Sequence, residues 1–167
     1  MRDLSFIETM AMSPEVMAGR LGAALFCGAC IGLDREWRRK PAGLRTHMLI
    51  ALASATFTVL ATELYLEALE ANPSASADPL RIIEAVTAAA AFLGAGSIIQ
   101  SRGAVSGMTT GAGIWLAASV GLACGAGFIW LAMVNVVLAI LILTALGRVQ
   151  EVIERRAARA EDKAPST

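Results

Sequence analysis

Five long apolar stretches, separated by short polar segments, set the pattern of this 167-residue chain. A hydrocarbon core about 30 Å thick requires roughly 20 mostly apolar residues per helix, and each stretch is near that length. The pattern therefore predicts five membrane-spanning helices. Their expected ranges are Glu15–Leu33, His47–Leu66, Ile82–Ile99, Val105–Cys124 and Ala126–Gly147.

Composition agrees with a membrane protein. Apolar residues make up 56% of the chain and charged residues 17%, whereas about 25% are charged in soluble domains. We expect an all-α polytopic bundle with no room for a soluble catalytic module, hence no enzyme and no cofactor. The last two spans are joined at residues 125–127, which predicts a tight antiparallel hairpin, with one long bent helix as the alternative.

The distribution of Lys and Arg predicts the orientation, since basic residues next to spans stay in the cytoplasm. They lie between the first two spans, at Arg102, and after the fifth span, whereas the loop Glu67–Pro79 is acidic. We therefore expect residues 1–14 outside, 15–147 in the membrane and 148–167 as a charged cytoplasmic tail. Asp3 and Glu8 are not typical of a secretory signal.

The residues between Gly32 and His47 form the densest charged block. Arg38, Arg39 and Lys40 are explained by orientation alone, but acidic residues contribute little to it. We predict a salt-bridge network at the start of the first inner turn that fixes the hairpin and contacts a ligand, because intramembrane charges mark pathways. Its members are Asp34, Arg35, Glu36 and Arg45.

A second charged group is expected at the outer mouth. Asp78 precedes the third helix, where a carboxylate favours the positive end of the helix dipole. Arg81 and Glu84, three residues apart, are placed to pair on one helical face.

Small residues spaced four apart predict close helix contacts. The packing candidates are Gly28, Gly32, Gly107, Gly111 and Gly121, together with Asn135, which we expect to bond across a helix interface. Such stripes are self-complementary and predict a homodimer.

Two Gly-rich segments have two open interpretations. Gly94, Gly96, Thr109 and Thr110 either line a polar pocket or re-entrant kink near the cytoplasmic side, or belong to two unbroken helices in close contact. Cys27 and Cys30 are expected to pack as small residues, and a single histidine argues against a His-based metal site. The metal content stays unknown.

Several segments resemble, in order and spacing, the membrane domain of the MgtC/SapB family. They are residues 28–36, 41–47 (with Arg45 and Thr46), 78–82, 92–96 and 107–110. The resemblance implies a bacterial inner-membrane protein linked to magnesium limitation, stress and intracellular survival, including virulence. It also implies action on another membrane complex, such as the F-type ATP synthase. The alanine run 88–91 and Glu84 depart from the family pattern, and we expect this chain to lack the soluble C-terminal domain of the longer members.

Three function classes follow. A transporter, with a cation such as magnesium, would use the charged block and the Gly-rich segments as a polar path. A regulatory protein would bind another membrane complex through its helix faces. An enzyme is the weakest of the three, since no nucleophile or metal-ligand set accompanies Asp34 and Glu36. The expected partners are the lipid bilayer, a second copy of the chain, and either a cation such as magnesium or another membrane protein complex. We expect no binding of nucleic acid.

Overall fold

The residues that the structure describes form a bundle of five helices, with a small β-hairpin between the third and the fourth. The computed structural model describes residues 11–72, 78, 80–101 and 104–161. The predicted all-α membrane bundle is confirmed. The helices are α1 (Pro14–Trp37), α2 (Leu44–Ala71), α3 (Arg81–Gly96), α4 (Met108–Gly125) and α5 (Ile129–Glu161), and the strands are β1 (Ile99–Ser101) and β2 (Ala104–Ser106).

Four of the helices are long and apolar enough to cross a membrane: α1, α2, α4 and, over its first 19 residues, α5. With 16 residues, α3 is about 24 Å long at 1.5 Å per residue. It is therefore shorter than the hydrocarbon core that it was predicted to cross.

Short capping motifs set the ends of these helices. Ser13 caps α1, with its hydroxyl accepting from the backbone N–H of Val16, and Pro14 follows in the first turn. At the other end of α1 the amides of Arg39 and Lys40 donate to the carbonyls of Glu36 and Arg35, the two bonds of a Schellman motif. Arg39 holds the left-handed position there, with φ 52°.

The same motif ends α4. The amides of Gly127 and Phe128 donate to the carbonyls of Cys124 and Ala123, and Gly127 has φ 88°. Glycine adopts this conformation without the steric penalty of a side chain. The chain thus leaves α4 and enters α5 within three residues.

Contacts at both ends of α1 fix the directions of the helices. Arg20 donates to the carbonyl of Gly125 over 2.8 Å, whereas Arg38 lies beside Gly147. As Arg20 and Gly127 are neighbours too, α5 runs parallel to α1 and α4 runs antiparallel to both. The predicted hairpin of the last two helices is therefore found, and the long bent helix is not.

Small residues form the centre of the bundle. Ala24, Cys27, Ala51, Ala55 and Cys124 are buried in one cluster. A Cβ atom on Gly28 would lie 2.8 Å from the carbonyl oxygen of His47. Glycine is required at such positions because the two helix backbones touch.

The same close approach recurs along α2 and between α3 and α4. A Cβ on Gly32 would lie 2.7 Å from Leu44 Cα, and one on Gly125 would lie 2.6 Å from the Ala55 carbonyl oxygen. A Cβ on Gly121 would collide with the Ala51 carbonyl, and Gly94 and Gly111 face each other.

The β-hairpin is the largest departure from the predicted spans. Ile99 pairs with Ser106 and Ser101 with Ala104, so the third span ends at Gly96 and the fourth begins at Met108. Gly107, which we expected inside a helical stripe, lies outside α4 with φ 88°. A Cβ there would also collide with the Ser97 carbonyl.

Other predicted boundaries shift outward. α2 continues to Ala71, so Glu67 and Glu70 belong to the helix and not to a loop, and α5 continues through most of the predicted tail to Glu161. Much of the predicted outer segment and loop, and the end of the tail, lie outside the described residues.

Candidate functional site

Three polar side chains are buried inside the bundle, one each from α1, α2 and α4. Arg35 is 2% exposed, His47 is fully buried and Thr110 is 2% exposed. Arg35 Nη2 donates to Thr110 Oγ1 over 2.6 Å, and His47 Nδ1 lies 2.9 Å from the Gly43 carbonyl oxygen. We call these three residues the interior polar cluster.

Local structure explains why these side chains point inward. Arg35 continues the buried face of α1 that carries Ala24, Gly28 and Ile31, at the spacing of three and four residues that defines one helical side. His47 stands at the start of the corresponding face of α2, where Ala51 follows one turn later. Both side chains are buried because their helices approach so closely.

Two nitrogen atoms of the interior polar cluster have no hydrogen-bond partner among the described residues, Arg35 Nε and His47 Nε2. A carbonyl oxygen only accepts, so the bond to Gly43 places the proton of a neutral His47 on Nδ1. Nε2 is then an acceptor facing Gly113, whose Cβ would lie 3.1 Å away. Buried groups of this kind are costly and are commonly retained for function.

The predicted salt-bridge network does not form. Asp34 pairs with Arg38 at 2.9 Å, one helical turn away, while Glu36 accepts from the backbone N–H of Leu44 at 3.0 Å and caps α2. Arg45 is exposed. Consecutive residues of a helix point in different directions, so Arg35 is buried while Asp34 and Glu36 make separate contacts. Arg45, on α2, joins none of them.

The Gly-rich segments do not line a shared pocket. Gly94 is buried against Gly111 and Thr110 is buried beside Arg35, whereas Gly96 and Thr109 are exposed. The arrangement is that of the second interpretation, because α3 and α4 are each continuous and contact one another at Gly94 and Gly111, and the β-hairpin joins their ends. Thr46 is partly exposed beside His47.

Two residues of the predicted outer mouth, Asp78 and Arg81, line one cavity at the start of α3, and Glu84 lies in the first turn of that helix. Asp78 Oδ1 accepts from the Leu80 amide at 3.0 Å, in agreement with its expected position before the helix. Arg81 and Glu84 are both exposed, and the ion pairs found among the described residues do not join them. Asn135 was expected to bond across an interface, but it donates to the Leu131 carbonyl of its own helix.

Sequence reasoning missed three polar residues. His47 was considered only as a metal ligand, although its position on the buried face of α2 signals an interior role. Arg20 donates to the Gly125 carbonyl at the C-terminal end of α4 and so caps that end of the helix. Glu63 accepts from the amides of Ala11 and Met12 at 2.8 and 3.0 Å, which holds the segment before α1 against α2.

The interior polar cluster carries a positive charge, which comes from the guanidinium of Arg35. Among the described residues, no group of three His, Cys, Asp or Glu side chains could hold a metal ion. Asp34 and Glu36, the two nearest carboxylates along the chain, are engaged with Arg38 and Leu44. The arrangement presents a guanidinium and an imidazole to the interior.

Comparison with known proteins gives consistent matches. The chain is 36% identical over 132 residues to an Escherichia coli protein named "Putative magnesium transporter YhiD", covering 79% of this chain and 60% of that protein. It is 35% identical to Protein MgtC of Brucella abortus over 142 residues, covering 85% and 56%. It is 39% identical to Protein SapB of Bacillus subtilis over 121 residues, covering 70% and 50%.

The chain thus spans about half to three fifths of the length of these relatives. No solved structure matches it. The model of the MgtC family matches residues 21–152, which include α2, α3 and α4 in full, most of α1 and α5, and the interior polar cluster. This multi-pass membrane protein therefore belongs to the MgtC family.

Proposed function

We propose that this chain serves magnesium homeostasis in the bacterial inner membrane as a regulatory protein, and that it does not itself carry Mg²⁺. The observation that supports this role is the chemistry of the interior polar cluster. Mg²⁺ binds carboxylate and water oxygens in octahedral geometry, whereas Arg35 brings a positive charge to the interior and repels a cation.

The carboxylates that a carrier would need are occupied elsewhere. Asp34 is tied to Arg38 and Glu36 to the first amide of α2. Both hold the turn between α1 and α2 in place, and the hydrogen bonds of Thr110 and His47 go to Arg35 and Gly43 instead. The centre of the bundle is instead closed by contacts between backbones at Gly28 and Gly121.

Regulation requires a partner, and the family resemblance implies a membrane complex such as the F-type ATP synthase. One outward face of α5 is apolar and exposed, including Leu131, Leu138 and Leu141. A photo-crosslinker at Leu138 should form an adduct with a subunit of that complex. The same group at Ala139, which is 5% exposed, is the matched control and should give none.

Transport is the second candidate. The name of the Escherichia coli relative favours it, and buried charges such as Arg35 often mark ion pathways in membrane proteins. A carrier of this fold would need an assembly or a conformation that brings carboxylates to the path.

Flux measurements separate the two. The full chain is reconstituted into vesicles containing a magnesium indicator, and the same gene is tested for support of growth in magnesium-poor medium. We expect growth to depend on the chain while Mg²⁺ entry stays at the level of empty vesicles. Entry above that level, abolished by Thr110→Val, would establish transport and refute the regulatory proposal.

A further inference from the structure

A groove runs along the side of the bundle between α2 and α3. It consists of two cavities of about 450 and 370 Å³ that share Ile82 and Ala85. The larger one is bordered by bulky apolar residues such as Leu49, Phe57 and Leu93, and Ala118 of α4 closes it from inside.

The groove exists because α3 contacts the bundle along one narrow stripe. Its buried residues Val86, Ala90 and Gly94 recur every fourth position and pack on α4. Both walls of the groove contain small residues, among them Ala53 of α2 and Ala89 of α3. Their methyl groups leave the space between the two helices unfilled, and Ala118 of α4 forms its floor.

In a bilayer such a space is filled by hydrocarbon, since its apolar walls offer water no hydrogen bonds. The walls Leu49–Phe57 and Ile82–Leu93 are about 12 to 16 Å long at 1.5 Å per residue. The larger cavity, about 450 Å³, then has a cross-section of roughly 30 Å², while a helix 10–12 Å across needs about 80 Å² or more. A single hydrocarbon chain fits, and a helix of a second copy does not.

The groove ends in a polar mouth. Tyr65, Asp78 and Arg81 line the smaller cavity. Asp78 uses one carboxylate oxygen for the Leu80 amide, and Arg81 is exposed and is not in the ion pairs found among the described residues. The mouth thus offers one guanidinium and one carboxylate that do not neutralise each other.

We propose that the groove is a binding site for one phospholipid with a zwitterionic phosphate and ammonium headgroup. One of its two acyl chains lies between α2 and α3, its phosphate contacts Arg81 and its ammonium contacts Asp78. The guanidinium suits a phosphate oxygen, and the free carboxylate oxygen suits an ammonium donor. A lipid with an uncharged alcohol in place of the ammonium keeps the contact with Arg81 and lacks the one with Asp78.

Native mass spectrometry of the full chain tests the proposal. The protein is reconstituted into vesicles with equal amounts of phosphatidylethanolamine and phosphatidylglycerol, extracted in mild detergent, and the retained lipids are counted. We expect one retained lipid per chain, with phosphatidylethanolamine retained in preference to phosphatidylglycerol. Arg81→Gln should lower the retention of both lipids about fivefold, as expected for loss of one basic contact. Asp78→Asn should lower that of phosphatidylethanolamine alone.

Matched variants distinguish the groove from the surface. Ala53→Leu with Ala89→Leu fills the groove and should abolish retention, whereas Ala88→Leu on the outer face of α3 and Arg45→Gln at the other end of the bundle should not. Unfolding curves in detergent establish that each variant is folded. Equal retention of both lipids in wild type and Asp78→Asn, or unchanged retention after filling the groove, would overturn the proposal. Disulfide crosslinks between copies of an Ala89→Cys variant would do so too, since they place a second chain there.

Discussion

The interface of α1, α2 and α4 is packed backbone to backbone, whereas the side of the bundle between α2 and α3 holds an open groove. Both regions are rich in small residues. Gly28 and Gly121 touch carbonyls of α2, but Ala53 and Ala89 line an open groove. Small residues therefore permit close packing without causing it. Whether two helices touch at such residues also depends on how each of them packs on a third helix.

The two regions also differ in where their polar and charged side chains lie. The tight interface encloses Arg35 and His47 with unpartnered nitrogens, while the groove has its charges, Asp78 and Arg81, at the exposed mouth. Substitutions that disturb the interface should consequently cost far more stability than equivalent changes beside the groove.

The largest effect is expected from Gly121→Leu. A side chain at this position collides with the Ala51 carbonyl and lies within 2.8 Å of Ser54 Cβ, so α2 and α4 must separate. We expect a loss of about 3 kcal/mol or more in the free energy of unfolding, measured by denaturant titration in detergent micelles. Gly22→Leu is the control, since a Cβ there meets nothing within 4 Å. Equal losses for both would show that the interface is not close-packed.

Thr110→Val should have the next largest effect. It removes the acceptor of Arg35 Nη2 and leaves a second guanidinium nitrogen without a partner, which costs about 2 kcal/mol for a bond to a charged group. Thr109→Val, at an exposed neighbouring position, should change stability by less than about 0.5 kcal/mol.

A double substitution extends this test. Arg35→Met together with Thr110→Val replaces the polar pair by apolar groups, so the double variant should be less destabilised than the sum of the single ones. Strict additivity would mean that Arg35 and Thr110 do not act as a pair.

A smaller effect separates two residues that the sequence placed in one network. Glu36→Gln weakens the cap on the Leu44 amide and should cost about 1 kcal/mol. Arg45→Gln, at an exposed position, should be close to neutral. The measurement is the same denaturant titration, and a larger loss for Arg45→Gln would restore the predicted network.

The sequence predicted the helices well because hydropathy and length decide spans almost alone. It did not predict the β-hairpin. Ile99 and Val105 are apolar, so they were assigned to the ends of the third and fourth spans, and strands of three residues are too short to show a periodic pattern. Gly107 was placed in a helical stripe because spacing alone does not reveal a positive φ.

The candidate site was predicted only in part. Arg35 and Thr110 were named, but Arg35 was grouped with Asp34 and Glu36 by proximity in sequence. Helical geometry would have corrected this, because Arg35 shares a face with Gly28 and Ile31 whereas Asp34 faces Arg38, four residues on. The contact between Arg35 and Thr110 joins residues 75 apart, and a single sequence carries no local signal for it.

The smallest effect should be that of Ala88→Leu, on the outer face of α3. Ala88 is exposed, and its neighbours in the bilayer are acyl chains, so a larger apolar side chain should change the free energy of unfolding by less than about 0.5 kcal/mol. Ala90→Leu, two residues along the same helix, is the comparison: Ala90 is 3% exposed and packs with Ala118, so overpacking should cost about 1–3 kcal/mol. If both variants lost the same stability, α3 would be enclosed on all sides, and the groove beside it could not be open to lipid.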